Sequence, residues 1–121
     1  MSDSAAALQA VLAAKPGAVG SALPSAPGVA LYKVMGKMFA ILTQKGEPSV
    51  ILKCDPQLVE ILREQYAGVG HRSHLDRRFW ICVTLDSDLP PDEIERLVAG
   101  SYDLVRSGLT RKQKAELEAL V

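Results

Sequence analysis

The stretch VALYKVMGKMFAIL, residues 29–42, decides the fold, because it holds two strand-type runs on either side of a turn. Residues 29–34 and 37–42 are rich in β-branched, aromatic and other apolar side chains, which favours extended backbone. A Met-Gly pair separates the two runs, so the stretch predicts a β-hairpin. A second turn is expected at residues 45–48. After it, Val50 and Leu52 alternate with Ile51 and Lys53, as the two faces of a strand require. The sequence therefore predicts three consecutive antiparallel strands.

The sequence after this meander predicts a helix and then one further strand. Asp55 is expected to be the N-cap of a helix that begins at Pro56 and ends near Gly68. Residues 79–85, which include Trp80, are expected to form the next strand. The apolar stripe of the helix consists of Leu58, Val59, Leu62 and Tyr66.

Two more helices are expected towards the end of the chain. Within residues 88–95, a pair of prolines is followed by acidic side chains, the order that favours the first turn of a helix. Gly108 is the expected C-cap, and Thr110 with Gln113 forms a possible capping box for a last helix. One side of the longer helix carries Ile94, Leu97, Val98, Ser101 and Val105.

The N-terminal part of the chain predicts one helix and an irregular connection. Residues 4–14 have apolar side chains at helical spacing, with Ser4 as the expected N-cap. Residues 17–28 are uncharged and rich in Gly, Ala, Ser and Pro, which predicts an irregular surface segment. Because helices and antiparallel strands are segregated along the chain, we predict an α+β fold, a twisted antiparallel sheet with helices packed on one face. The length of 121 residues fits a single domain over residues 1–121.

Charge and composition exclude several classes of protein. Fourteen basic side chains balance fourteen acidic ones, so any site for a polyanion must be a local patch. Two cysteines that lie far apart favour neither a disulfide scaffold nor a zinc ribbon, which fits a reducing compartment. No apolar run approaches the roughly 18 residues of a spanning helix, and no leader pattern is present. We therefore expect a cytoplasmic protein with no membrane partner.

No motif predicts an enzyme or a cofactor. Neither the dinucleotide fingerprint nor the P-loop pattern occurs. His71 and His74, together with Asp76, could in principle ligate a metal ion, but the neighbouring arginines disfavour a bound cation. Cys54 precedes a helix start, where a thiol pKa can be lowered, yet burial at a strand end is the simpler interpretation. We therefore expect a non-enzymatic protein without a metal site or cofactor.

The basic residues are unevenly distributed despite the balanced total. Residues 33–53 contain four lysines and one acid, and residues 71–80 contain three arginines and one acid besides two histidines. Residues 86–95 carry five acids and no basic side chain. If the hairpin lies beside the segment 71–78, one end of the sheet is basic and the start of the third helix is acidic.

A basic hairpin beside a basic loop predicts contact with nucleic-acid phosphates. The planar guanidinium of arginine pairs bidentately with phosphate oxygens, and Tyr32 or Trp80 could stack on a base. Two simpler interpretations stand beside this one. Lysines on an exposed hairpin are commonly solvated and protect edge strands from aggregation, and Trp80 can serve only to anchor its strand in the core.

Five ordered motifs carry a resemblance to a known family. Together they resemble the MmcQ/YjbR-like family of small bacterial proteins, over roughly residues 5–114. The resemblance implies an α+β domain similar to the frataxin-like CyaY sandwich, in which strand hairpins form a double-wing DNA-binding motif. The motifs are YKVMGKMFA at residues 32–40, LKCDP at 52–56, LREQY at 62–66, HLDRRFW at 74–80 and SYDLV at 101–105.

The basic loop and the family segments together place the candidate nucleic-acid contacts on eight residues. The sequence departs from the family pattern at Phe79, where many relatives have a polar or small residue, and at Met35, which replaces a glycine of the hairpin turn. Ile81 and Cys82 replace a frequent Asn-Thr pair. The candidate contacts are Lys33, Lys37, Lys53, Arg72, His74, Arg77, Arg78 and Trp80.

The leading hypothesis is a non-enzymatic DNA-binding protein that holds phosphates with the hairpin and the loop. The alternative is a protein-interaction adaptor that uses an exposed sheet face or the acidic start of the third helix. The zero net charge, which is unusual for a dedicated nucleic-acid binder, motivates that alternative. A metal-handling role, suggested by the frataxin-like fold, ranks last because the N-terminal helix after Asp3 contains no acid.

Overall fold

The computed structural model describes residues 3–120, which form six strands and four helices. A long third helix and a shorter fourth helix close the described chain. In chain order the elements are α1 (Asp3–Ala13), β1 (Ala18–Leu23), β2 (Ala26–Val34), β3 (Lys37–Thr43), β4 (Ser49–Lys53), α2 (Pro56–Gln65), β5 (Val69–Gly70), β6 (Trp80–Thr84), α3 (Pro91–Ser107) and α4 (Arg111–Leu120).

All six strands belong to one antiparallel sheet, with the spatial order β1-β2-β3-β4-β6-β5. The helices pack on one face of it, and α3 lies across β3 and β4. This arrangement confirms the predicted α+β class and the predicted meander of β2, β3 and β4. Within residues 3–120, no helix combines the length and the apolarity that crossing a membrane requires.

The predicted irregular connection over residues 17–28 is wrong, because the chain there forms β1, a turn, and the start of β2. The reason is tertiary packing rather than local propensity. A Cβ atom added at Gly20 would lie 2.7 Å from the Tyr32 ring, so only a residue without a side chain lets β1 lie over this tyrosine. Small residues therefore form an edge strand without the alternation of large side chains by which strands are recognised.

Two smaller expectations about helix ends also need correction. The structure starts α1 at Asp3, so Ser4 lies inside the helix and its hydroxyl donates to a carboxylate oxygen of Asp86 rather than capping the helix. The second helix ends at Gln65, before the predicted Gly68, and Leu58 of its predicted apolar stripe is exposed. The buried side of α2 is carried by Val59 and Leu62.

The other predicted caps, at α2, at the end of α3 and at α4, are confirmed. The Asp55 carboxylate accepts a hydrogen bond from the Gln57 amide at 2.8 Å at the start of α2. Thr110 and Gln113 form the reciprocal capping box, with side chain to backbone distances of 3.0 and 3.1 Å. Gly108 is the C-cap of α3. These contacts are local, which explains why the sequence predicts them.

Strand alternation divides the sheet into a face covered by helices and a helix-free face. The covered face carries the buried side chains of the main core, and α3 contributes Ile94, Val98 and Tyr102 to the same core. One row on the helix-free face crosses all six strands in register. That row is Ser21, Leu31, Ile41, Ile51, Cys82 and Gly70.

The two ends of the sheet carry different connections. The β2–β3 turn, the end of β4 and the segment that precedes β6 lie at one end, because neighbouring strands are antiparallel. The β3–β4 turn and the connection from β6 to α3 lie at the other end. The strand order therefore places the basic hairpin and the basic segment 71–78 at one end of the sheet and the acidic segment 86–95 at the other.

Candidate nucleic-acid interface

All eight candidate residues lie at one end of the sheet, which we call the basic end. Three chain segments contribute them: the β2–β3 hairpin, the last residue of β4, and the segment 71–80 with the first residue of β6. The juxtaposition of hairpin and loop that the sequence made conditional is therefore present. The basic end consists of Lys33, Lys37, Lys53, Arg72, His74, Arg77, Arg78 and Trp80.

Lys33, Lys53 and Trp80 share the helix-free face. Lys33 is exposed and pairs with Met38 on β3, whereas Lys53 is half-buried and pairs with Trp80 on β6. Since neighbouring strands lie about 4.8 Å apart, the two lysines are separated by roughly 10 Å across the sheet. Trp80 is half-buried, so the residue is not fully enclosed in the core.

The segment between β5 and β6 is ordered by its own hydrogen bonds. A ring nitrogen of His71 lies 2.7 Å from the Leu75 carbonyl, and the Ser73 hydroxyl accepts from the Leu75 amide at 3.2 Å. At its end, the Phe79 carbonyl accepts from the Cys54 amide at 2.7 Å, which joins the segment to the end of β4. The loop therefore presents its basic side chains from a defined backbone.

Arg63 on α2 fixes the same segment from the other side. Its Nη2 donates to the Arg77 carbonyl at 3.0 Å and to the Trp80 carbonyl at 3.4 Å, and its Nη1 pairs with Glu60 at 3.0 Å. Only 10% of its side chain is exposed. Sequence reasoning assigned Arg63 no role, although it stands in the LREQY motif, which was the available signal. We regard it as a positioning residue.

The charge of Arg78 is compensated within the loop. Its guanidinium donates to both Asp76 carboxylate oxygens, at 3.1 and 2.8 Å, and lies 5.3 Å from the centre of the Phe79 ring. These hydrogen bonds from Arg78 lower the pKa of Asp76 to about 2, so the carboxylate remains charged. Over residues 3–120, no other cation of the basic end takes part in an ion pair. Arg78 is therefore the weakest of the predicted phosphate contacts.

A cavity of about 390 Å³ opens at the basic end, between the end of β4, the start of α2 and the start of β6. Burial, followed by the charge of Asp55, raises the pKa of the Cys54 thiol in its wall. A thiol held protonated is a poor nucleophile, which disfavours covalent chemistry here. The lining residues are Lys53, Cys54, Asp55, Pro56, Phe79, Trp80 and Leu104.

The opposite end of the sheet is acidic. Asp86 and Asp88 lie in the connection from β6 to α3, and Asp92 and Glu93 occupy the first turn of α3. A second cavity of about 500 Å³ at this end is lined by residues of α1, of the connection 85–89 and of α3, among them Asp86 and Glu95. Its acids would repel phosphate, so the larger cavity is not part of the candidate interface.

Comparison with known proteins places the chain in a family. The model of the YjbR family matches residues 13–104. The Escherichia coli K12 protein named "Uncharacterized protein YjbR" is 39% identical over 71 residues, which is 58% of this chain and 60% of that protein. "Uncharacterized protein YbdF" of Escherichia coli O157:H7 is 26% identical over 75% of both chains.

Two solved structures share the fold. The crystal structure of Deinococcus radiodurans protein DR2400, which carries the family domain DUF419, superposes with a TM-score of 0.82 and 29% identity, over 92% of this chain and 85% of that one. A protein from Pseudomonas syringae superposes with a TM-score of 0.72 and 23% identity, over 86% of this chain and 98% of that one. The family model, the relatives and the fold agree with the five sequence motifs, and the chain belongs to the YjbR family.

Proposed function

We propose that the protein is a non-enzymatic DNA-binding protein whose basic end holds phosphate groups. The observation that carries this proposal is the segregation of charge along the sheet. Three chain segments bring their cations to one end, whereas the acids of residues 86–95 lie at the other. A chain without net charge can bind a polyanion only through such a patch.

The affinity expected from this patch is modest and depends strongly on salt. Each phosphate contact by Lys or Arg releases condensed counterions, with a slope of about −0.9 per contact in log K against log salt. Five cations outside ion pairs predict a slope of roughly −4 to −5. The five are Lys33, Lys37, Lys53, Arg72 and Arg77.

The distant acidic end gives this binding an orientation. Phosphates are repelled from the start of α3, where the acidic first turn compensates the helix dipole that would otherwise attract an anion. Backbone contacts alone carry no base-sequence information. We therefore propose binding without sequence specificity, directed through the basic end.

The test is fluorescence anisotropy of labelled duplex DNA at about 50 and about 200 mM salt. We expect Lys37→Glu and Arg77→Glu each to weaken binding about tenfold at the lower salt concentration. Lys45→Glu is the matched control, because Lys45 is an exposed lysine in the β3–β4 turn at the opposite end. Equal losses in all three variants, or no binding at tens of micromolar, would contradict the proposal.

A protein-interaction role is the second candidate, and the helix-free face is the observation that favours it. Leu31 and Ile41 are adjacent in register on this face and remain partly exposed, and Val19 nearby on β1 is 65% exposed. An adaptor would bind one stoichiometric partner after nuclease treatment. That partner should be lost in Ile41→Glu and retained in Arg77→Glu, whereas the DNA-binding role predicts the opposite sensitivity.

A further inference from the structure

We infer that the cavity beside Trp80 accepts one unpaired nucleobase, so that the basic end prefers single-stranded nucleic acid to an intact duplex. This inference rests on the proposed function and adds the class of nucleic acid to it. Its basis is a concave site of suitable size, which is lined by aromatic and apolar residues and by Lys53 of the basic end.

The size and shape of the cavity fit a small planar group. Its volume of about 390 Å³ lies at the lower end of the range for small-ligand pockets, roughly 300 to 1,000 Å³. Residues from three separate parts of the fold line it: the β4–α2 junction, the start of β6 with the residue before it, and Leu104 on α3. The bases of an intact duplex are stacked on one another, so a base can enter such a site only after it leaves the helix.

The side chains around the cavity suit a base better than they suit a free anion. Trp80 and Phe79 are among the lining residues and carry aromatic rings, and stacking on such a ring tolerates any base because every base has a π-face. Pro56 and Leu104 provide apolar contact at the sides. Asp55 is an exposed carboxylate in the lining and would repel a free phosphate placed in the cavity.

The hydrogen-bonding capacity of Asp55 agrees with a base as well. Its Oδ1 accepts from the Gln57 amide at 2.8 Å, and an ionised carboxylate has about four lone-pair sites in total. The remaining capacity suits the amino group that adenine, cytosine and guanine carry, and Asp and Glu are known acceptors from cytosine N4.

Cations beside the cavity are available to the sugar-phosphate backbone that carries the base. Lys53 is both a lining residue and a member of the basic end, so its ammonium group is available to a phosphate of the strand whose base occupies the cavity. Arg77 and Lys33 then continue the cationic surface on either side of it. A single strand can satisfy phosphate contacts and base stacking together, whereas a duplex can satisfy only the phosphate contacts unless a base leaves the helix.

The only tryptophan of the chain, Trp80, makes the test direct. A labelled single-stranded oligonucleotide, its blunt duplex, and the duplex with a short single-stranded overhang are titrated at about 50 mM salt. Anisotropy reports binding, and tryptophan emission reports stacking. We expect the single strand and the duplex with an overhang to bind about tenfold more tightly than the blunt duplex. These two oligonucleotides, but not the blunt duplex, should quench Trp80 emission.

Variants separate the cavity from the phosphate contacts. Leu104→Phe fills the cavity without changing charge, so we expect the single-strand preference to disappear while duplex affinity stays within twofold. Leu97→Phe is the matched control, because Leu97 is another half-buried leucine of α3 but lies outside the cavity. Trp80→Phe should retain most of the preference, and Trp80→Leu should lose it.

The outcomes distinguish this inference from the proposed function. Equal binding of single strand and duplex without a change in tryptophan emission would overturn the inference and leave phosphate binding by the basic end intact. A single-strand preference that survives in Leu104→Phe would also overturn it, since the cavity would then not hold the base. Failure of every oligonucleotide to bind at tens of micromolar would overturn both.

Discussion

The Ser101 hydroxyl of α3 donates a hydrogen bond to the Phe39 carbonyl of β3 at 2.6 Å. The same oxygen accepts from the Lys53 amide of β4 at 2.9 Å. The register of β3 and β4, extended by one residue, would place Phe39 opposite Lys53, but Phe39 is the extra residue of a β-bulge against β2. Ser101 therefore bridges two backbone groups that a regular ladder would pair with each other, and it does so at the basic end.

The first prediction concerns this bridge. Ser101 is fully buried, so Ser101→Ala leaves the part-buried Lys53 amide and the buried Phe39 carbonyl without this partner. We expect the free energy of unfolding to fall by about 2 to 3 kcal/mol. Ser107→Ala is the control, because this hydroxyl on the same helix is exposed and donates only to the Leu104 carbonyl of its own helix. Chemical denaturation should separate the two variants, and equal stabilities would show that the bridge contributes little.

The second prediction concerns acid stability and Asp88. The Asp88 carboxylate accepts from the Gly68 amide at 2.8 Å and the Ala67 amide at 2.7 Å, and the bond from Gly68 chiefly lowers its pKa. The folded-state pKa lies below that of the unfolded chain, near 4, so the contribution of this carboxylate is complete above pH 4 and is lost as pH falls through the folded value.

Thermal unfolding of the parent protein and of Asp88→Asn from pH 7 to pH 2.5 tests whether the stabilisation by this carboxylate is lost as the pH falls. We expect Asp88→Asn to have the lower Tm at neutral pH and the difference to shrink below pH 4. A difference that stays constant over this range would mean that the charge of Asp88 is not what stabilises the junction at residues 67 and 68.

Local signals account for the parts of the fold that the sequence predicts correctly. The Asp55 to Pro56 helix start and the Thr110 capping box rest on contacts within three residues, and the β2–β3 hairpin rests on a short turn between apolar runs. Strand β1 lacks such a local signal. The need for a glycine at position 20 arises from the ring of Tyr32 on the neighbouring strand, which only the folded structure places there. The missing information is tertiary.

The same distinction applies to the candidate interface. Antiparallel connectivity determines which cations lie at the same end of the sheet. The sequence therefore predicts the basic end once the hairpin and the segment 71–78 are assumed to lie side by side. The roles of Arg63 and Ser101 depend on contacts between residues 14 to 62 positions apart in the chain. The sequence places Ser101 on the same side of α3 as Ile94 and Val98, and this side is buried, but the hydroxyl alone does not indicate the two strands that it joins.

The third prediction is a gain of affinity. Asp76 binds the guanidinium of Arg78 and keeps its charge at working pH, so it cancels one cation of the basic end. Asp76→Asn removes the charge and releases Arg78 for phosphate contact. We expect about three- to tenfold tighter DNA binding at low salt and a salt slope more negative by about one contact.

Asp92→Asn is the control for this gain, because it changes the net charge equally at the acidic end of the molecule. Its effect on DNA affinity should be less than twofold. Similar gains in the two variants would mean that net charge, rather than the position of Arg78, limits binding.

The last prediction separates a positioning residue from a contact residue. Arg63 holds the Arg77 and Trp80 carbonyls but is almost fully buried, so it should not touch a phosphate itself. We expect Arg63→Gln to weaken DNA binding about threefold to tenfold with an unchanged salt slope, since the same cations still bind from a less ordered loop. Arg77→Gln should weaken binding and also reduce the slope by about one, because a phosphate contact is lost. Anisotropy at four salt concentrations measures both quantities, with circular dichroism to confirm that each variant is folded. A reduced slope in Arg63→Gln would show that its guanidinium is itself a phosphate contact.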